Sequence, residues 1–154
     1  MTAKPSYLGL LNAIASAESQ NAHYYAAWAK VTGDAELRRL LELVAVREAE
    51  HGLTFEKRVM ELGFSVRPRP EPDFDATLAF VGDPGIADGA KFERLGYGRG
   101  GPIDRGEDPF GTFFADRTID IETGALLGRY IAEERDTLTR LCAARERLAA
   151  ARAA

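Results

Sequence analysis

Sulfur is nearly missing from this chain of 154 residues, which has one cysteine, Cys142, and two methionines. A single thiol forms no intramolecular disulfide and supplies no Cys-x-x-Cys iron or zinc site, so a reducing compartment suits it. Histidine is almost as scarce, with His23 and His51 the whole supply. A basic excess is also lacking: the formal charge is −4 and the pI about 5.3, which leaves no electrostatic footprint for nucleic acid or an anionic membrane. No apolar run is long enough to span a bilayer. The amino terminus, with Lys4 early and polar residues soon after, does not read as a signal peptide. A soluble protein, cytoplasmic or enclosed in a larger protein shell, is the expectation. Glycine and proline are thin over most of the chain, because ten of the fifteen glycines and six of the seven prolines fall between Gly63 and Gly111.

What remains outside that stretch is compatible with long helices. With 45% apolar and 29% charged residues, the chain can bury one core, and a single domain over 1–154 is expected. A first helix is predicted from Pro5 to Val31, with Pro5 suited to a first turn. The link Thr32-Gly33-Asp34 then stops it and caps a second helix from Asp34 to Leu62. So short a link makes the two helices antiparallel neighbours, a hairpin over 5–62. Gly63 can end the second helix, and Pro68, Pro70 and Pro72 hold the next segment extended. Residues 63–114 therefore read as a crossover with short helices near Asp73–Val81 and Asp88–Leu95, anchored by Phe110, Phe113 and Phe114. The glycine-rich run Gly96-Tyr97-Gly98-Arg99-Gly100-Gly101 follows no strand and precedes no Lys-Ser/Thr, so it is not read as a phosphate loop. The segment 115–151 carries a last long helix, from about Asp120 to Ala150, in which Gly124 and Gly128 would admit a close neighbour. The fold class is all-α: a two-helix antiparallel hairpin and a long C-terminal helix joined by a Gly/Pro-rich crossover.

Each long helix has a polar residue on its apolar stripe. In the second helix Leu37, Leu41, Val44, Glu48, His51, Phe55, Val59 and Leu62 follow one another at steps of three or four, which is one helical face. In the first, Leu8, Leu11, Ile14, Ala15, Glu18, Ala22, Tyr25 and Ala29 do the same. In the last, Leu127, Ile131, Glu134, Leu138 and Leu141 form the inner face, with Glu133 and Asp136 as alternatives to Glu134 in a register that would turn Arg129 and Arg140 inward. Taken singly, such a glutamate is ordinarily a misjudged face or a carboxylate paired with arginine. Taken together they are costly, since a buried carboxylate or imidazole without a partner loses several kcal/mol. The hairpin brings its two midpoints together, and so sets Glu18 opposite Glu48 and His51. Carboxylate oxygens with an imidazole nitrogen are the donors that iron and manganese take. His23, off the inner face, and Glu50, between Glu48 and His51, read as outward-facing. Trp28, Tyr24 and Tyr130 read as packing aromatics.

On these residues, over Pro5–Leu62 and more loosely over the last helix, the chain resembles the ferritin-like superfamily of ferritins, rubrerythrins and hairpin-type encapsulated ferritins. The resemblance implies a helical bundle with a two-metal centre of iron, or manganese in its place. Carried over residue by residue, Glu18 matches the first-helix terminal ligand, Glu48 the bridging carboxylate and His51 the imidazole ligand. Tyr25 matches the tyrosine that family members place beside the metals, with a catalytic role as hydrogen-bond donor or one-electron source. The chain departs from the pattern in having no second Glu-x-x-His and no regular third bundle helix. The remaining ligands would then come from a twofold-related copy or from Glu134 within the chain.

The function implied is oxidation of Fe(II) by O2 or peroxide, in iron handling or protection against oxidants, by a homodimer or higher homo-oligomer. Without cysteine pairs of the rubredoxin type, a self-contained rubrerythrin-like electron chain is not implied. Two rival readings stand beside it. One is a metal-free helical dimerisation or interaction module in which Glu48 bonds to His51 and arginines such as Arg47 or Arg129 neutralise the rest. The other is a di-iron oxygenase for an organic substrate, with the crossover as its lid.

Overall fold

The computed structural model describes residues 4–98 and 107–153, so part of the glycine-rich run and of the 63–114 crossover, residues 99–106, lies outside the described residues. The described residues form five α-helices and no strand: α1 Leu8–Val31, α2 Ala35–Glu61, α3 Phe74–Val81, α4 Asp88–Arg94 and α5 Ile121–Ala153. The helix expected to begin at Pro5 begins at Leu8, after a turn in which the Leu8 N–H bonds to the Pro5 carbonyl.

Local chemistry fixes the helix ends. Asp34 caps α2 by accepting from the Leu37 N–H at 2.7 Å, and its carboxylate also takes Arg147 of α5 at 2.6 Å. The guanidinium and the Leu37 N–H hold the Asp34 carboxyl down to about 2. At the other end of α2, Gly63 adopts φ +85°. The Phe64 N–H reaches back to the Val59 carbonyl and the Gly63 N–H to that of Met60, the pairing that stops a helix on a left-handed residue. The same device ends α4. Gly96 has φ +87°, and the Tyr97 N–H bonds to the Phe92 carbonyl at 2.9 Å.

The crossover is strapped to the hairpin by side chains. Residues 64–72 run without regular structure along α1, and their backbone groups bond to Asn12, Ser16 and Gln20, one helical turn apart. Asn12 donates to the Arg67 carbonyl and accepts from its N–H, Ser16 does the same for Arg69, and Gln20 accepts from the Glu71 N–H. Polar backbone that a sheet would otherwise satisfy is thereby paired. The start of α4 is tied to the end of α1, because Asp88 accepts from the Trp28 indole at 2.7 Å and the Thr32 hydroxyl at 2.9 Å.

The apolar core comes in two blocks. One gathers Trp28, Leu37, Leu41, Val44, Phe92, Tyr97 and Leu141. The other gathers Leu11, Ile14, Phe55, Val59, Leu127, Tyr130 and Ile131. The inner face of α5 is turned slightly from the expected one: Tyr130 and Thr137 are buried while Leu138 is half-buried. Phe110 and Phe113 pack against Tyr130 as an anchor, but Phe114 is exposed. Among the described residues a Cβ at Gly128 would meet nothing within 4 Å, so that glycine admits no neighbouring helix of this set.

Between the two blocks α1 and α2 are in close contact at Ser19 and Gly52. A Cβ on Gly52 would lie 2.5 Å from the Ser19 hydroxyl and 3.2 Å from the Ser19 backbone nitrogen. These residues directly follow His51 and Glu18. Gly52→Ala is therefore expected to push the hairpin apart there and to lower stability by about 1–3 kcal/mol, measured by urea unfolding. An unchanged midpoint would mean that the close approach carries no packing role.

Candidate metal centre

The layer between the two core blocks is polar. Glu18 of α1, Glu48 and His51 of α2 and Glu134 of α5 meet there, with Glu18, Glu48 and His51 only 4%, 2% and 5% exposed. Glu18, His51 and Glu134 each bring one donor atom to within 4.8 Å of the others. His51 Nδ1 stands 3.4 Å from Glu134 and 3.7 Å from Glu18 and makes a hydrogen bond to neither. Glu18 Oε2, Glu48 Oε2, His51 Nδ1 and Glu134 Oε1 are all buried without a hydrogen-bond partner.

The second oxygen of Glu18 and the second nitrogen of His51 are, by contrast, held. Tyr130 donates to Glu18 Oε1 at 2.8 Å and stacks edge-on to the His51 ring at 5.0 Å. His51 Nε2 lies 2.6 Å from Glu133. Glu133 in turn accepts from Arg129 at 3.0 Å, and Arg129 also binds Glu50 at 2.9 Å. Of the two neighbouring glutamates on α5, Glu134 faces the cluster and Glu133 fixes the far nitrogen of the imidazole. Asp136 faces neither, since it binds Arg47 at 2.7 Å and Arg140 at 2.8 Å.

Without a cation the cluster is under electrostatic load. Burial first, then the charges of Glu18 and Glu134, push the Glu48 carboxyl well above the usual carboxylate range. Burial likewise raises Glu134, only partly opposed by His51. Burial alone would lower the His51 imidazole, but Glu134, Glu18 and Glu133 together raise it to about 10. Although burial pushes Glu133 up, His51 and Arg129 hold it below its ordinary value.

Tyr25 lies beside this layer without bonding to it. Its hydroxyl shares a 2.7 Å hydrogen bond with that of Tyr97, and burial, then Tyr97 and Glu48, raise it well above the usual phenol range. Glu50 is exposed, as read from the sequence, and so is His23, which sits edge-on to Phe74. The Glu48–His51 hydrogen bond considered for a metal-free module is not formed, and Arg47 and Arg129 are committed elsewhere. Three contributors escaped the sequence reading. Tyr130 had a signal, lying one turn before Glu134 on the same face. Glu133 was read only as a spare ligand, and Tyr97 lay hidden in a glycine-rich run.

No family model, curated protein or solved structure matches the chain. The likeness to the ferritin-like superfamily accordingly rests on the residues of the hairpin and α5. No described helix is long and apolar enough to cross a membrane. The donors present fit a metal: two carboxylate oxygens and an imidazole nitrogen converge unpartnered, and the Glu48 oxygen adds a third unpartnered carboxylate donor to the layer, a set for a hard or borderline cation. The contact from Glu133 to the outer imidazole nitrogen is the support that metal-bound histidines receive.

The load on Glu48 gives a signed prediction for the metal-free protein. With its folded pKa raised above the unfolded value, Glu48 takes up a proton on folding, so the stability tied to it is present at acid pH and is lost as pH rises from about 4.5. The raised His51 acts in the same direction from about 6.5 towards 10. Metal-free protein should lose stability from pH 5 to pH 9. Glu48→Gln should flatten that slope and stabilise the metal-free chain by at least about 1 kcal/mol at pH 8, read by urea unfolding across pH. A pH-independent midpoint in wild-type protein would contradict the electrostatic load.

Proposed function

We propose that this protein binds iron in the polar layer between its two core blocks and oxidises Fe(II) with O2 or peroxide, as a ferritin-like protein with Glu18, Glu48, His51 and Glu134 as ligands. The observation that carries the reading is the set of three buried, unpartnered donor atoms of Glu18, His51 and Glu134 within 4.8 Å of one another, with a fourth unpartnered oxygen, that of Glu48, in the same layer. Leaving such groups unpaired costs several kcal/mol each, which a bound cation offsets. Bound iron supplies one-electron chemistry: two Fe(II) and two protons reduce O2 to hydrogen peroxide, or hydrogen peroxide to two waters, leaving two Fe(III).

The residues divide the remaining work. Glu18, Glu48 and Glu134 favour the more highly charged ion, because their attraction grows with its charge in a medium of low dielectric. His51 offers Nδ1 while Glu133 holds Nε2, so the ring does not turn. Tyr130 keeps one oxygen of Glu18 aimed away and leaves the other free. The apolar blocks on either side exclude bulk water from the layer.

A metal-free reading has one observation in its favour: a protonated His51 lying between Glu133, Glu134 and Glu18 would partly neutralise them. For an organic-substrate oxygenase the ligands would need an adjoining apolar cavity. The apolar cavity of about 400 Å3 under the proline strap is lined by Ala15, Ser19, Pro68 and Phe74 among others, and by none of the four donors.

Anaerobic loading with Fe(II), followed by exposure to O2 or peroxide, separates the readings. Wild-type protein is expected to retain iron through gel filtration and to oxidise Fe(II) faster than buffer does. His51→Ala and Glu134→Gln should lower iron affinity at least about tenfold and bring oxidation to the rate in buffer, with helix content by circular dichroism nearly unchanged. No retained iron in the wild type would leave the protonated-histidine cluster as the account of this layer.

A further inference from the structure

A two-metal site in a helical bundle draws a carboxylate from each of two helices and a Glu-x-x-His pair from each of two others. Glu48 and His51 are one such pair. On α5 the step three residues beyond Glu134 lands on Thr137, which is 1% exposed. Its hydroxyl accepts from Arg47 at 3.1 Å, and the same Arg47 nitrogen is bound to Asp136. Where a second imidazole would arrive there is an alcohol engaged by a cation.

The other missing contribution would come from a further long helix, and the crossover supplies a tyrosine instead. The left-handed Gly96 ends α4 and turns Tyr97 into the core, where its hydroxyl meets that of Tyr25 at 2.7 Å. Arg145 holds the Tyr97 carbonyl in place. Both phenols feel the charges of Glu48 and Glu134, and both belong to the core block that contains Trp28 and Leu141, across the polar layer from Tyr130. One hydroxyl donates to the other.

The donor count agrees. Each of the four residues offers one unpartnered atom, and the second oxygen of Glu18 is taken by Tyr130. We infer that the centre holds a single metal ion per chain, ligated by Glu18, His51 and Glu134 with Glu48 as fourth donor, and that the Tyr25–Tyr97 pair fills the side on which a second ion would sit. This rests on the metal reading above and departs from the two-metal arrangement that the ferritin-like resemblance implies. Turnover would then deliver electrons from Fe(II) ions oxidised one after another.

The test uses the full chain, stripped of metal and titrated with Mn(II), with bound manganese counted by elemental analysis and its electron paramagnetic resonance spectrum recorded. One Mn(II) per chain with the hyperfine pattern of an isolated ion is expected. Tyr25→Phe and Tyr97→Phe should leave both the count and the affinity unchanged, since the hydroxyls fill space and do not ligate, while His51→Ala should weaken binding at least about tenfold. Two ions per chain with an exchange-coupled spectrum would overturn the inference and leave the metal reading standing. Loss of affinity in the phenylalanine variants, with circular dichroism unchanged, would overturn the role given to the tyrosines. Binding of neither Mn(II) nor Fe(II) would overturn both readings.

Discussion

Three carboxylates and an imidazole buried at mid-height in a helical bundle are the constraint to which the rest of this structure answers. Charged groups taken out of water lose hydration worth several kcal/mol each even after relaxation, and here they share one layer between two apolar blocks. Everything touching the layer limits that cost or fixes its geometry. Tyr130 satisfies one oxygen of Glu18, Glu133 satisfies the outer nitrogen of His51, and Gly52 lets the hairpin close tightly enough for the donors to meet. What these supports leave unsatisfied is an inward-facing set, one atom from each of the four residues. Unpaired groups scattered through a core would be a packing defect; here three of them, on Glu18, His51 and Glu134, lie within 4.8 Å of one another.

The crossover takes part in the same arrangement although it holds little regular structure. Three helices are long among the described residues, and the segment between Gly63 and Tyr97 packs against the hairpin in place of a fourth. Asn12, Ser16 and Gln20 satisfy backbone groups of the strap, which lets an irregular segment lie against a helix without orphaned polar atoms. Asp88 fixes α4 to the end of α1, and the left-handed Gly96 then sets the direction of Tyr97. Tyr97 is thus brought to Tyr25 by a chain of local pairings beginning on α1.

How legible this was depended on the range of the interactions. The hairpin could be read because its signals are local: the spacing of Leu37, Leu41, Val44 and Phe55, the Asp34 cap and the Gly63 stop all act within a turn or two. Glu18, Glu48, His51 and Glu134 could be read because each breaks an apolar stripe, and the short link between α1 and α2 sets two of those breaks at one height. That Glu134 and not Glu133 faces the cluster follows from a rotation of α5 too small for periodicity to resolve, one that buries Tyr130 and half-exposes Leu138. Tyr97 was illegible for a different reason. Its partner Tyr25 is 72 residues away, and nothing in a glycine-rich run states which way the chain will turn after a left-handed residue.

The charge of the layer bears on the chemistry as well as on the fold. With Glu133 matched by Arg129, the inner set comprises three carboxylates and one imidazole. A protonated His51 would leave that set with two uncompensated negative charges if all three carboxyls were ionised, which is why Glu48 and Glu134 are pushed towards the protonated form when no cation is present. A divalent ion bound to neutral His51 leaves one negative charge, and a trivalent ion leaves none. In a buried layer, where uncompensated charge is most costly, the donor set is best matched by a cation of charge three. For a metal that can exist in both states, the same carboxylates that would bind it would also favour its oxidation. A zinc or calcium ion, fixed at two charges, would leave the layer one charge short of balance.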